Sequence, residues 1–283
     1  MADTIQVGVV APSCRIDRTL VPRLTELADV TCAGKLALTF HPQCFLSSGH
    51  FAGTDDERLS ALVAFANDER FDVIWFARGG YGSGRIAGRA VAALSDAARK
   101  KAYLGYSDAG ALLGAMYRAG FKSLYHAPMP ADLLRKGGEA PVQRVLRFLT
   151  GGTTGLEPSV SREAPTAAFN ITILCHLIGT PSEPDLSGHV LMLEEVAEQM
   201  YRIDRALLQI TSVPGIRKVA GIRLGRCSAI PDNDPDFGET PEQVVQHWCA
   251  VSGIPYLGTA DIGHDIANKI VPYGRLSETL LRE

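Results

Sequence analysis

Tyr103-Leu104-Gly105-Tyr106-Ser107-Asp108-Ala109-Gly110 leads from a short apolar segment into Ala111, Leu112, Leu113, Ala115 and Met116, placing a serine where a strand hands over to a helix. A tight elbow of this kind needs small residues two positions before and two after the exposed side chain. Gly105 and Ala109 meet that need, although Ala109 breaks a strict G-x-S-x-G pattern. A helix start carries partial positive charge and free N–H groups, so the Asp108 amide is a candidate to hold an oxyanion while Ser107 attacks a carbonyl. The same residues also suit a plainer arrangement in which Ser107 caps the helix and Asp108 is a first-turn acid.

Working outward, short apolar runs at Ile5 to Val10, Leu36 to Phe40, Val73 to Ala77, Ala102 to Gly105 and near Ser123 to Tyr125 alternate with amphipathic stretches. That alternation predicts βαβ units around a parallel sheet. One helix start is explicit: Thr54-Asp55-Asp56-Glu57 is a capping box ahead of Leu59, Leu62, Val63 and Phe65. A helix carrying Val142, Val145, Leu146 and Leu149 stops at Gly151-Gly152, and the chain to Pro165 is rich in Gly, Thr, Pro and Ser. At 283 residues about two domains are expected, so we divide the chain into an N-terminal α/β domain, 1–155, and a smaller C-terminal α/β domain, 166–283. The second half predicts helices near Ile171 to Leu177, Tyr201 to Ile210 and Glu242 to Val251, strands at Val190 to Leu193 and Val219 to Leu224, and irregular extended chain to the end.

Arg78-Gly79-Gly80-Tyr81-Gly82-Ser83-Gly84 follows an apolar strand, where backbone N–H groups can approach a ligand closely. Gly82-x-Gly84-x-x-Ala87 matches a dinucleotide fingerprint, but after the third strand, and the only strand-end acid about 20 positions on is Asp108. A loop whose Gly80 N–H faces a tetrahedral intermediate fits better, and a plain tight turn remains open.

A net charge of −3 gives no footprint for nucleic acid. No run of apolar residues is long enough to span a membrane, and Met1-Ala2-Asp3-Thr4 lacks the features of an export signal. Six scattered cysteines without a C-x-x-C pair read as reduced thiols, consistent with a cytoplasmic protein. The histidines form no H-E-x-x-H or i, i+4 pair, so neither a metal nor a cofactor is expected. Of the seven, His264 stands out in the loop Asp261-Ile262-Gly263-His264-Asp265, where an imidazole could take the Ser107 proton if a third group held its tautomer. Glu194 and Glu195 end the strand Val190-Leu191-Met192-Leu193, and strand alternation allows only one to face the site.

These motifs together resemble the LD-carboxypeptidase family. The resemblance rests on Arg78-Gly79-Gly80-Tyr81-Gly82, Gly105-Tyr106-Ser107-Asp108, His126-x-Pro128-Met129, Gly179-Thr180-Pro181, Leu193-Glu194-Glu195, Tyr201-Arg202-Ile203-Asp204-Arg205, Gly221-x-x-Leu224-Gly225 and Gly263-His264-x3-Asn268-x3-Pro272-x-Gly274. It implies a flavodoxin-like N-terminal domain, a homodimer, a Ser107–Glu194–His264 triad, and cleavage of the amide bond to a terminal D-alanine in a murein tetrapeptide. His126-Ala127-Pro128 and Ala168-Phe169-Asn170 depart from the family's usual His-Gly-Pro and Gly-Gly-Asn, which bears on substrate detail. Two other readings fit part of the pattern: a microcin-type peptidyl-nucleotide hydrolase, and a non-catalytic protein that binds a small ligand with its Gly-rich loop. A carboxypeptidase must also hold a free carboxylate, for which Arg78, Arg85, Arg202 and Arg205 are candidates.

Overall fold

In a computed structural model, described over residues 4–276, the chain builds two sheets. The first half runs β1 (Ile5–Val10), α1 (Leu20–Cys32), β2 (Leu36–Phe40), α2 (Asp55–Asn67), β3 (Val73–Phe76), α3 (Ser83–Ala93), α4 (Asp96–Arg99), β4 (Ala102–Gly105), α5 (Ala109–Arg118), β5 (Leu124–His126) and α6 (Glu139–Leu149). The second continues with β6 (Thr166–Asn170), α7 (Ile171–Leu177), β7 (Val190–Val196), α8 (Met200–Ser212), β8 (Gly221–Ser228), α9 (Pro241–Ser252), β9 (Tyr256–Thr259) and β10 (Val271–Pro272). The capping box is made as read: Thr54 Oγ1 accepts from the Glu57 N–H at 3.2 Å, and Glu57 accepts from the Thr54 N–H at 2.7 Å.

The strand order of the first sheet is β2-β1-β3-β4-β5-β10, with β1 to β5 parallel. Strands β3 and β4 are buried along their whole length, as continuous apolar runs in a parallel sheet covered on both faces should be. The order 2-1-3-4-5 is flavodoxin-like, and it reverses direction between β1 and β3. Loops leaving the carboxyl ends of those two strands therefore open the crevice where such sheets bind ligands. They carry Ser13 and Cys14 on one side and Gly79 to Gly82 on the other, with Ser107 at the end of the adjacent β4.

Three strands were not foreseen. β6, β7, β8 and β9 form a second, fully parallel sheet in chain order. Its first strand, Thr166–Asn170, lies against the predicted Gly/Pro-rich connection, and its last, Tyr256–Thr259, lies in chain expected to be irregular. Strand β10 crosses back to pair antiparallel with β5, Val271 opposite His126. It is too short to leave a periodic signal.

The halves share apolar packing. Gly110 and Gly114 on α5 face Ile173, Phe169 and Leu177, and a Cβ on Gly114 would lie 2.8 Å from Leu177. One buried cluster runs from Ile74 and Leu112 in the first half to Leu191 and Leu207 in the second. The connection after α6 is itself anchored: buried Glu157 accepts from the Ser159 N–H at 2.8 Å and the Asp261 N–H at 3.1 Å.

Candidate active site

Ser107 has a φ of 60°, a region an L-residue adopts only under constraint. The constraint is visible on both sides. A Cβ on Gly105 would sit 2.8 Å from the Phe76 ring, and a Cβ on Gly79 would sit 2.9 Å from the Ser107 oxygen. Helix α5 starts without a side-chain cap, its cap position being Asp108, so Ser107 does not play the capping part its sequence position allows. Its hydroxyl has no hydrogen-bond partner among the described residues.

The Asp108 side chain is buried and its carboxylate accepts from the Ser13 hydroxyl at 2.5 Å and the Ser83 N–H at 2.9 Å. The Ser83 hydroxyl returns a bond to the Asp108 carbonyl at 2.5 Å. The serine elbow and the Gly-rich loop are thus bolted together through the first turn of α3. Arg58, wholly buried, adds a second fastening: its guanidinium donates to the Gly82 carbonyl at 2.8 Å and also to the Pro12 carbonyl. Gly80 has φ 108°, open to glycine but not to side chains, and a Cβ there would collide with the Cys14 sulfur. Neither the Gly80 nor the Asp108 N–H has an acceptor among the described residues.

His264 Nδ1 lies 2.6 Å from Glu194 Oε2, with Glu194 wholly buried near the end of β7. Glu195 points the other way, accepting from Asn170 Nδ2 at 2.5 Å, the Thr172 N–H at 2.9 Å and the Thr172 hydroxyl at 2.7 Å. Alternation thus separates the two carboxylates, one into the His264 loop and one onto the start of α7. Burial raises the Glu195 pKa against those bonds.

The His264 loop is held by pairings that local sequence does not reveal. Strand β8 shifts register against β7 between Leu193 and Glu195, and Gly225 there leaves room for the backbone of Ile262, which a Cβ would approach to 2.8 Å. Arg226 bridges Asp261 at 2.6 Å and Asp265 at 2.9 Å, one acid on each side of His264. Asn268 Oδ1 accepts from the Gly263 N–H at 3.2 Å and from His126 Nε2 at 3.1 Å. Burial pulls the His126 pKa down to about 4, so its ring is neutral and donates through Nε2. Tyr106 packs its ring 4.9 Å from that of His264, and its hydroxyl donates to Asp132 at 2.8 Å, burial holding the phenol protonated.

Glu194 and His264 are therefore in contact, and the ring of Tyr106, the residue before Ser107, packs against His264. His264 Nε2 is buried without a hydrogen-bond partner among the described residues. No group of three or more His, Cys, Asp or Glu able to hold a metal occurs among the described residues.

Comparison with known proteins gives the chain a class. The LD-carboxypeptidase N-terminal domain model matches residues 7–126 and the C-terminal domain model residues 163–278. The chain belongs to the LD-carboxypeptidase family. It is 34% identical to a Streptomyces coelicolor protein that bears a provisional carboxypeptidase name, over 97% of this chain and 90% of the relative. It is 26% identical to the murein tetrapeptide carboxypeptidase of Pseudomonas aeruginosa, over 80% of this chain and 78% of the relative. Among solved structures, the muramoyltetrapeptide carboxypeptidase of Oxalobacter formigenes superposes with a TM-score of 0.77 at 22% identity, covering 95% of this chain and 92% of that one. The microcin C7 self-immunity protein MccF does so at 0.79 and 17%, covering 97% and 92%. Both share the fold.

Proposed function

We propose that the protein is a serine LD-carboxypeptidase that releases the terminal D-alanine of a murein tetrapeptide through an acyl-enzyme. One observation carries this reading: an imidazole fixed by a buried carboxylate at 2.6 Å packs against the ring of Tyr106, the residue before a serine held at φ 60° with its hydroxyl unspent. Ser107 attacks the carbonyl, His264 takes its proton, and the charge on the carbonyl oxygen is met by the Gly80 and Asp108 N–H groups. The C–N bond then breaks, His264 protonates the departing amine of D-alanine, and water repeats the sequence on the ester. Glu194 holds the imidazole tautomer and stabilises its charged form.

For the substrate carboxylate we assign Arg78. Arg85 is paired with Asp55 at 2.9 Å, Arg202 with Glu198 at 2.8 Å, and Arg205 lies over the Tyr201 ring. Arg78 is exposed, adjoins Gly79 at the elbow, and donates to the Arg15 carbonyl at 3.3 Å. The names of the relatives support a murein peptide as substrate, and the role we propose with it is recycling of cell-wall peptides in the cytoplasm. No described helix is long and apolar enough to cross a membrane. The peptidyl-nucleotide alternative finds little support in the tryptophans: Trp75 is buried in β3 and donates to the Pro128 carbonyl, and Trp248 donates to Asp204.

The test is mass-spectrometric detection of D-alanine from L-Ala-D-Glu-meso-diaminopimelate-D-Ala. Release by wild type, falling by several orders of magnitude in Ser107→Ala, is expected. Equal release by both variants, or none by wild type, would overturn the proposal.

A further inference from the structure

Beneath the Gly79-Gly80 loop lies a second pair of reactive groups. Cys14 Sγ is 3.2 Å from His50 Nε2. The Cys14 N–H donates to the Gly79 carbonyl at 3.3 Å, and a side chain on Gly80 would overlap the sulfur. Of the six cysteines, this is the one with an imidazole against its sulfur. In the other five burial raises the thiol pKa, to about 12 in Cys44 and Cys227 and about 11 in Cys249. Cys14 itself is 7% exposed, but its cover is thin, because Arg15, His50, Gly80 and Tyr81 are all exposed. The His50 ring is steadied edge-on by Phe51 at 5.5 Å, and Arg78 brings a guanidinium to the carbonyl of the neighbouring Arg15. The thiolate is the form that reacts, and an imidazole nitrogen against the sulfur is the base that can produce it.

We propose that Cys14 and His50 form a peroxide-sensitive modification site whose oxidation displaces the Gly80 loop and stops turnover. His50 accepts the thiol proton. The thiolate attacks one oxygen of hydrogen peroxide, an S–O bond forms as the O–O bond breaks, and the departing hydroxide takes the proton back from the imidazolium as water. The sulfur is oxidised by two electrons to a sulfenic acid and the peroxide is reduced. The sulfur already fills the space a side chain on Gly80 would take, so an oxygen added on that side pushes on the loop and on the N–H that the proposed hydrolysis uses. The second half of this inference rests on that proposed function; the site itself does not.

The experiment exposes the full-length protein to hydrogen peroxide, traps sulfenic acid with dimedone, maps it by peptide mass spectrometry, and follows D-alanine release in parallel. Expected is trapping at Cys14 ahead of the other cysteines, slowed about ten-fold or more in His50→Gln. Loss of turnover should match the trapped fraction and be reversed by dithiothreitol, while Cys14→Ser keeps basal turnover and resists peroxide. Trapping spread over other cysteines, or an unchanged rate in His50→Gln, would overturn the site. Inactivation of Cys14→Ser as fast as wild type would overturn the coupling. Selective trapping at Cys14 in a protein that never releases D-alanine would sink the carboxypeptidase reading and leave the site standing.

Discussion

Ser83 and Asp108 exchange two hydrogen bonds, main-chain N–H to carboxylate at 2.9 Å and hydroxyl to main-chain carbonyl at 2.5 Å. The residue after the serine elbow and the first residue of α3 are therefore fixed to one another in both position and orientation. Removing the carboxylate in Asp108→Ala frees the Gly-rich loop, and kcat for D-alanine release should fall by about ten-fold or more with KM little changed. Asp108→Asn keeps an acceptor oxygen for the Ser83 N–H and should recover part of the loss. Steady-state kinetics on the three proteins checks this.

Glu194→Gln keeps the size of the side chain and removes its charge. The developing imidazolium then loses its partner, and kcat should drop about 100- to 10,000-fold. Folding should not suffer, because Glu194 is wholly buried with one oxygen unpartnered, and neutralising such a group removes a desolvation cost. A lower kcat together with a melting temperature equal to or above wild type is the expected pair of results.

Two glycines close in sequence should respond in opposite ways to alanine. Gly80→Ala meets a positive φ and the Cys14 sulfur, and should lose about 1–3 kcal/mol in denaturant unfolding along with most of the activity. Gly88 lies inside α3, and a Cβ there would have nothing within 4 Å. Gly88→Ala should stabilise by up to about 1 kcal/mol and leave turnover unchanged.

Burial of His126 makes stability depend on pH. Unfolded, an imidazole protonates near 6.5, and in the folded chain His126 does so only near 4. Between those values the unfolded state binds more protons, so stability falls as pH is lowered from about 6.5 towards 4 and levels off below. The shift corresponds to about 3 kcal/mol. His41 and His189, also lowered by burial, act in the same direction. The difference between wild type and His126→Gln, measured by urea unfolding at pH 7 and pH 5, isolates the one ring, and the variant should show the flatter dependence.

What was legible in the sequence was what is local. The strand-to-helix position of Ser107 follows from two small residues and an apolar run, and the capping box at Thr54 from four consecutive positions. The choice between Glu194 and Glu195 needed alternation and a family resemblance together. The supports of the His264 loop were not legible, because Arg226 meets Asp265 across 39 positions and His126 meets Asn268 across 142. Such pairs leave no period or spacing in a single chain. Strand β6 was missed for a related reason: Thr166-Ala167-Ala168-Phe169-Asn170 is buried at every position, so its small residues show no alternation to detect.

The pairing of β10 with β5 sets a schedule for biosynthesis. Strand β5 is complete once residue 126 has left the ribosome, but the strand that covers its outer side ends at residue 272. At about 5–20 residues per second the interval is roughly ten seconds. For that time the nascent sheet offers unpaired backbone to any neighbouring chain, so the yield of native protein should depend on chaperone supply and growth temperature more than its finished stability would suggest.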